Sequence, residues 1–183
     1  KGKMMGLAMG TSEAVGYVDA DKNVLGWINE LAFAPVDLQP NAMQDEWSLD
    51  YGVGCKYFSQ DAVIKLAPAA GIALDESLSP AQKLKVIQSL MEQEDPRAAK
   101  IYRSIGVYLA HTLSLYHQLY GYRHVLLLGR VMSGKGGDLL IETCKHVLQD
   151  EYPEVADKFE LTLPDEYFRR VGQSMAVASL PEL

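Results

Sequence analysis

An α/β fold, a mixed sheet with packed helices, is predicted from three features of the sequence. Two short apolar segments near the start, residues 5–9 and 14–19, flank Gly10-Thr11-Ser12-Glu13 and read as an antiparallel pair of strands. A proline-started, almost wholly apolar helix then feeds the strand His124-Val125-Leu126-Leu127-Leu128, which ends in Gly129-Arg130-Val131-Met132-Ser133. Strands first, helices next and a β-α-β-α close argue for one sheet covered by helices.

Each element carries its own signal. Asp21-Lys22-Asn23 is a turn, and Val24-Leu25-Gly26-Trp27-Ile28 completes a three-stranded meander. Periodicity is lost over residues 34–54, which read as a long loop of the functional kind. Ser59 N-caps a helix reaching about residue 70, with Ala62, Val63, Leu66 and Ala67 on one face. Ser79-Pro80-Ala81-Gln82 is a capping box with proline at the first helical position, and its helix runs to about Glu92. Asp95-Pro96 opens the long helix the same way. Ile101, Ile105, Leu109, Thr112, Leu113, Tyr116 and Tyr120 form its inner stripe. Val107, Leu115 and Leu119 widen the apolar surface, which predicts a helix buried on most sides. After Gly136-Gly137-Asp138 a helix is expected over residues 139–149, then a strand over 160–163. A closing helix capped by Asp165 presents Gly172, Ala176 and Ser179 as a small-residue face.

The 183 residues suit a single domain spanning residues 1–183. Net charge is −7 and there is no basic block, so nucleic acid is excluded as a partner of this segment. Two distant cysteines, Cys55 and Cys144, form no disulfide framework and no cysteine-rich zinc site, which points to a reducing, cytoplasmic setting. Every apolar stretch is interrupted before it reaches bilayer length, so no membrane partner is expected, and Lys1-Gly2-Lys3-Met4-Met5 is no signal peptide. A first residue other than methionine is expected of a piece of a longer chain.

Two glycine turns carry the candidate chemistry. Gly10 lets the backbone approach a phosphate, and the Thr11 hydroxyl can donate to one; the alternative is a plain hairpin turn. Gly129 stands at the carboxyl end of a strand, where α/β folds open a ligand crevice; the alternative is a simple strand-to-helix turn. Residues 129–135 also fit the spacing of a P-loop. The next residue is Gly136, however, where the magnesium ligand must be Ser or Thr, and no later strand ends in aspartate, so a true P-loop is disfavoured. His111 and His117 lie six apart and share no helix face, and His124 and His146 lack partners, so all four read as core or surface residues. Asp37, Asp45, Glu46 and Asp50 read as a solvated acidic loop rather than a cation site.

In order and motifs the chain resembles the C-terminal lobe of the ROK family (repressors, open reading frames and sugar kinases), within the actin, hexokinase and heat-shock chaperone ATPase superfamily. Met9-Gly10-Thr11-Ser12 sits where the family carries a phosphate turn. Asn29-Glu30-Leu31-Ala32-Phe33 is similar to its sugar motif. Residues 52–67, with Tyr57, Ser59 and Ala62, resemble the helix start after its cysteine cluster. Asp95-Pro96-Arg97-Ala98 opens its central helix, Leu126-Leu127-Leu128-Gly129-Arg130-Val131 resembles its adenosine motif, and Val171-Gly172-Gln173-Ser174-Met175-Ala176 its closing helix.

The resemblance implies a ribonuclease-H-like lobe of the actin-like ATPase fold. Gly10, Thr11, Gly129 and Arg130 would bind nucleotide, Glu30 would accept bonds from sugar hydroxyls, and ATP with magnesium would serve the intact protein. The parent would be an ATP-dependent, glucokinase-like sugar kinase, or else the sugar-sensing domain of a regulator; the chain alone, lacking the first lobe and its catalytic aspartate, would be inactive. Three departures bear on this. The family's zinc histidine is Phe33, one of its cysteines aligns with Val53, and Cys55 alone makes no four-ligand site, so zinc is not expected. Arg130 replaces a glycine and would narrow a purine slot. An exposed inter-lobe face would favour self-association, hence a homo-oligomer.

Overall fold

The computed structural model describes residues 3–24 and 30–164. Its sheet holds four strands: β1 (Met4–Met9), β2 (Glu13–Val18), β3 (His124–Leu128) and β4 (Glu160–Thr162), in the order β2-β1-β3-β4. β1 pairs antiparallel with β2 from Met4↔Val18 to Met9↔Glu13, and parallel with β3 from Met4↔His124 to Ala8↔Leu128. β3 pairs parallel with β4. Val24 adds an antiparallel bridge to Val18, as the meander predicts; the rest of that third strand and the closing helix lie outside the described residues.

The helices are α1 (Gln60–Ala69), α2 (Pro80–Glu92), α3 (Pro96–Tyr120), α4 (Gly134–Glu151) and the short α5 (Pro153–Ala156). Their starts follow local chemistry. Ser59 accepts from Asp61 N, Ser79 and Gln82 form the reciprocal capping box, and Asp95 accepts from Arg97 N. α3 ends at Gly121, whose left-handed φ of 59° closes the helix onto the His117 carbonyl. Met5, Leu7 and Met9 of β1 and Val125 and Leu127 of β3 meet Ile101, Ile105, Leu109 and Leu113 of α3 in one core. At roughly 1.5–3 kcal/mol for each fully buried large apolar side chain, this face dominates the stability.

Two expectations for the helices are corrected. α3 is largely buried as expected, but Val107, Leu115 and Leu119, expected to widen its apolar surface, are 37%, 49% and 70% exposed and line an outer face. α4 begins five residues early, at Gly134, and takes Gly136 and Gly137 into its first turns. Both glycines serve close packing. A Cβ on Gly136 would lie 2.4 Å from Cζ of Tyr102, and one on Gly137 would lie 2.2 Å from the Met132 carbonyl. Gly106 of α3 meets the Leu140 carbonyl in the same way, so the two longest helices cross at near backbone contact.

The stretch over residues 34–54 is not a solvated acidic loop either. Bridges at Pro35↔Val53 and Gln44↔Tyr51 fold it back on itself. Asp37 accepts from the hydroxyls of Tyr57 (2.6 Å) and Tyr108 (3.0 Å). Asp45 is buried, accepts from Ser48 N at 2.7 Å and pairs with Lys56 at 3.1 Å. Lys56, 4% exposed, also pairs with Glu46 and, at 2.9 Å, with Asp61 of α1. Asp37 and Asp45 are thus internal fastenings, while Glu46, which also pairs with Lys65 at 2.7 Å, and Asp50 remain exposed. No helix among the described residues is long and apolar enough to cross a membrane.

Candidate functional site

Because β1 and β3 run parallel and side by side, the turns that follow them emerge at the same edge of the sheet. The register that pairs Ala8 with Leu128 sets Met9 beside Gly129. Gly129 adopts φ 94° and ψ 169°, and a Cβ there would lie 2.2 Å from the Met9 carbonyl oxygen. That backbone region is open to glycine alone. Two turns more than a hundred residues apart in sequence therefore touch, which puts Gly10, Thr11, Gly129 and Arg130 at the same edge of the sheet.

The Gly10 turn is braced from beneath. Its carbonyl accepts from Gln60 N at 2.9 Å, which ties it to the start of α1, and its amide donates to Ser12 O at 3.1 Å. On the side where Gly10 lacks a Cβ there is open space, the nearest atom being Ser12 O at 3.8 Å. Thr11 and Ser12 are exposed. Across the seam Arg130 begins a short 3-10 turn, Arg130–Met132. Its carbonyl accepts from Gln88 Nε2 at 2.8 Å, while its guanidinium is exposed and in no ion pair among the described residues. Two hydroxyls and an exposed guanidinium are a donor set suited to phosphate oxygens.

The P-loop spacing leads elsewhere. Lys135 Nζ bonds Glu94 Oε1 at 2.9 Å and the Glu92 carbonyl at 3.3 Å, and Lys135 N donates to Glu92 Oε1 at 3.2 Å. The N-terminus of α4 already holds an anion, the carboxylate of Glu92, so this segment is no P-loop.

Glu30 stands apart from the other four. It precedes the 3-10 turn Leu31–Phe33, which packs against β2, the far side of β1 from Gly129. Its carboxylate is exposed and its carbonyl accepts from Phe33 N. Phe33, in the position of the family's histidine, stacks on Trp47 with ring centroids 5.7 Å apart. Ala32, Val53 and Cys55 pack together behind it. The Cys55 thiol lies 3.7 Å from Asp45 Oδ1 and is pushed up to about 11 by burial and then by the Asp45 charge. Residues of this kind do not fit a zinc ion: the thiol is held protonated in an apolar nest. No group of three His, Cys, Asp or Glu side chains able to hold a metal occurs among the described residues.

One residue escaped the sequence reading. Glu13 was expected within the turn; it is instead the first residue of β2, opposite Met9 and on the same inward face as Val15 and Tyr17. The period-two spacing Glu13-Val15-Tyr17 was the available signal. Its carboxyl is 5% exposed, neither oxygen has a hydrogen-bond partner, and burial pushes it up to about 8. The folded chain therefore keeps a proton that the unfolded chain releases near the ordinary value of 4.5. Stability is full below that value and falls as pH rises toward 8, by roughly 3 kcal/mol at neutrality. Urea melts of the wild type should show this decline from pH 4.5 to 8, and Glu13→Gln should flatten it; parallel slopes in both proteins would refute it.

A mixed four-stranded sheet of this order and sense, with helices packed on it and two touching glycine turns at its edge, is an α/β fold found in solved structures. Solved structures that share it include ROK proteins. A ROK family glucokinase from Streptomyces griseus, solved with glucose and AMPPNP, superposes with a TM-score of 0.63 at 16% identity, over 80% of this chain and 50% of that one. A ROK family transcriptional regulator, a homolog of the E. coli MLC protein, gives 0.69 at 17% identity over 89% and 42%. The ROK hexokinase from Thermus thermophilus gives 0.66 at 17% over 91% and 53%. The chain thus spans about half the length of these structures. No family model and no curated protein matches the sequence. The ROK resemblance holds at the level of fold.

Proposed function

We propose that this chain is the C-terminal lobe of a ROK-like ATP-dependent sugar kinase, supplying the nucleotide side of the cleft and inactive alone. The observation that carries the reading is the contact of Gly129 with Met9, which presents Gly10, Thr11 and Arg130 on one edge. Thr11 and Ser12 would donate to phosphate oxygens and Arg130 would offset their charge, while the Gly129 turn would flank the nucleoside. Magnesium would arrive with the nucleotide, because Glu13 beside the turn points inward and Glu92 caps α4. Phosphoryl transfer needs two positioned substrates, and in such a kinase the second set of groups would come from its other lobe. A cytoplasmic, self-associating protein accords with the reduced cysteines and with the exposed Leu38, Trp47, Leu49 and Tyr51.

Calorimetry with ATP tests this. The chain should bind ATP, Arg130→Ala should weaken binding about tenfold, and no sugar-dependent ATP consumption should occur. Turnover by the isolated chain would overturn the assignment. One observation favours a second reading, the non-catalytic sugar-sensing domain of a regulator: the ROK transcriptional regulator shares the fold at a TM-score of 0.69. Sugar binding by this chain without ATP binding would select that reading.

A further inference from the structure

Glu13 is the one buried acid near the turns that the proposed function leaves idle. It follows the Gly10 turn by three residues and lies behind it, opposite Met9. Gly54 is its cradle: a Cβ there would be 2.2 Å from Glu13 Oε2 and 2.7 Å from the Leu31 carbonyl. The carboxyl thus sits where β2, the 3-10 turn Leu31–Phe33 and the 3-10 turn Gly54–Lys56 converge. The titratable groups around it are neutral. From α3 comes Tyr116, whose buried hydroxyl also lacks a partner; from the Gly54–Lys56 turn comes the Cys55 thiol. β1 contributes only Met9, and the Leu31–Phe33 turn only a carbonyl, Glu30 before it being exposed. Lys56, next to Cys55, is spent on Asp45, Glu46 and Asp61. Among the described residues no cation compensates a negative Glu13.

We propose that Glu13 is a positioning residue that couples a proton to anion binding at the Gly10 turn. As the neutral acid it lets the segment bearing Leu31 and Gly54 close on β2 and so braces the turn from behind. Ionised, it becomes an unpaired buried charge, which forces that segment away and sets a negative charge behind the phosphate position. The ligand class is a polyphosphate anion. Linkage requires the reverse effect as well: a bound polyphosphate raises the affinity of Glu13 for its proton. The inference rests on the reading of the Gly10 turn as a phosphate site.

The test is ATP calorimetry on this chain at about pH 7.5 and about pH 9.5, where Cys55 and Tyr116, both pushed well up by burial, stay protonated. Wild type should bind about tenfold more weakly at the higher pH, and Glu13→Gln should hold its affinity within about twofold. A second readout needs no variant: the Glu13 carboxyl carbon, followed by NMR, should titrate at higher pH with ATP than without. Equal wild-type affinity at both pH values, or a midpoint that ATP does not move, overturns the coupling alone. No ATP binding at either pH overturns the phosphate reading and the coupling with it.

Discussion

Replacing Lys56 with methionine should destabilise the chain by about 3–5 kcal/mol, the cost of leaving the buried Asp45 carboxylate without its counter-ion. Lys56 is 4% exposed and ties Asp45, Glu46 and Asp61 together. Burial acts to lower its affinity for a proton, but the bonds to Glu46, Asp61 and Asp45 outweigh burial and hold it charged. Asp45 suffers most, because it is buried and held down at about 2 by the Ser48 amide and then by Lys56. Its contribution to stability is present above the ordinary carboxylate value of 3.8 and is lost as pH falls toward 2. Urea denaturation at neutral pH measures the main effect, and an acid series adds a check. Wild type should lose stability steeply over that acid range, and Lys56→Met should lose less, having little of the pairing left. An unchanged midpoint at neutral pH would mean that the loop over residues 34–54 is held by something else.

Gly129→Ala is the second large effect. The new methyl group would need to share space with the Met9 carbonyl, 2.2 Å away, at a φ of 94° that L residues avoid. A loss of about 3 kcal/mol or more is expected, from backbone strain together with separation of the β1 and β3 ends. Thermal unfolding should show it as a large drop in Tm, and ATP binding by whatever folded protein remains should be abolished. Gly10→Ala is the matched control. Its Cβ would meet nothing nearer than Ser12 O at 3.8 Å, so stability should hold even where binding suffers. Equal stability of the Gly129 variant and wild type would deny the contact between the two turns.

The parts of the fold written in local chemistry were legible in the sequence. The capping box at Ser79, the proline starts at Pro80 and Pro96, the Ser59 cap and the β3 strand all stand where their residues predict. What depends on distant partners was not. Gly136 and Gly137 read as breakers because nothing nearby shows that Tyr102 and the Met132 carbonyl require them bare. Asp37 and Asp45 read as solvated because Tyr57, Tyr108 and Lys56 reach them only in the folded chain. The outer face of α3 carries apolar side chains that local pattern assigns to a core. For the site, the sequence identified both glycine turns, whereas their contact follows from strand register. Glu13 was missed because a charged residue beside a glycine turn reads as loop, although its parity with Tyr17 marks it as inward-facing.

The central claim is that the two turns form one phosphate-binding edge. Amide chemical-shift mapping on this chain with ATP tests it most directly. Perturbations should centre on Gly10, Thr11 and Ser12 together with Gly129 and Arg130 and saturate as one event. Saturating shifts elsewhere that leave both turns unmoved would contradict it.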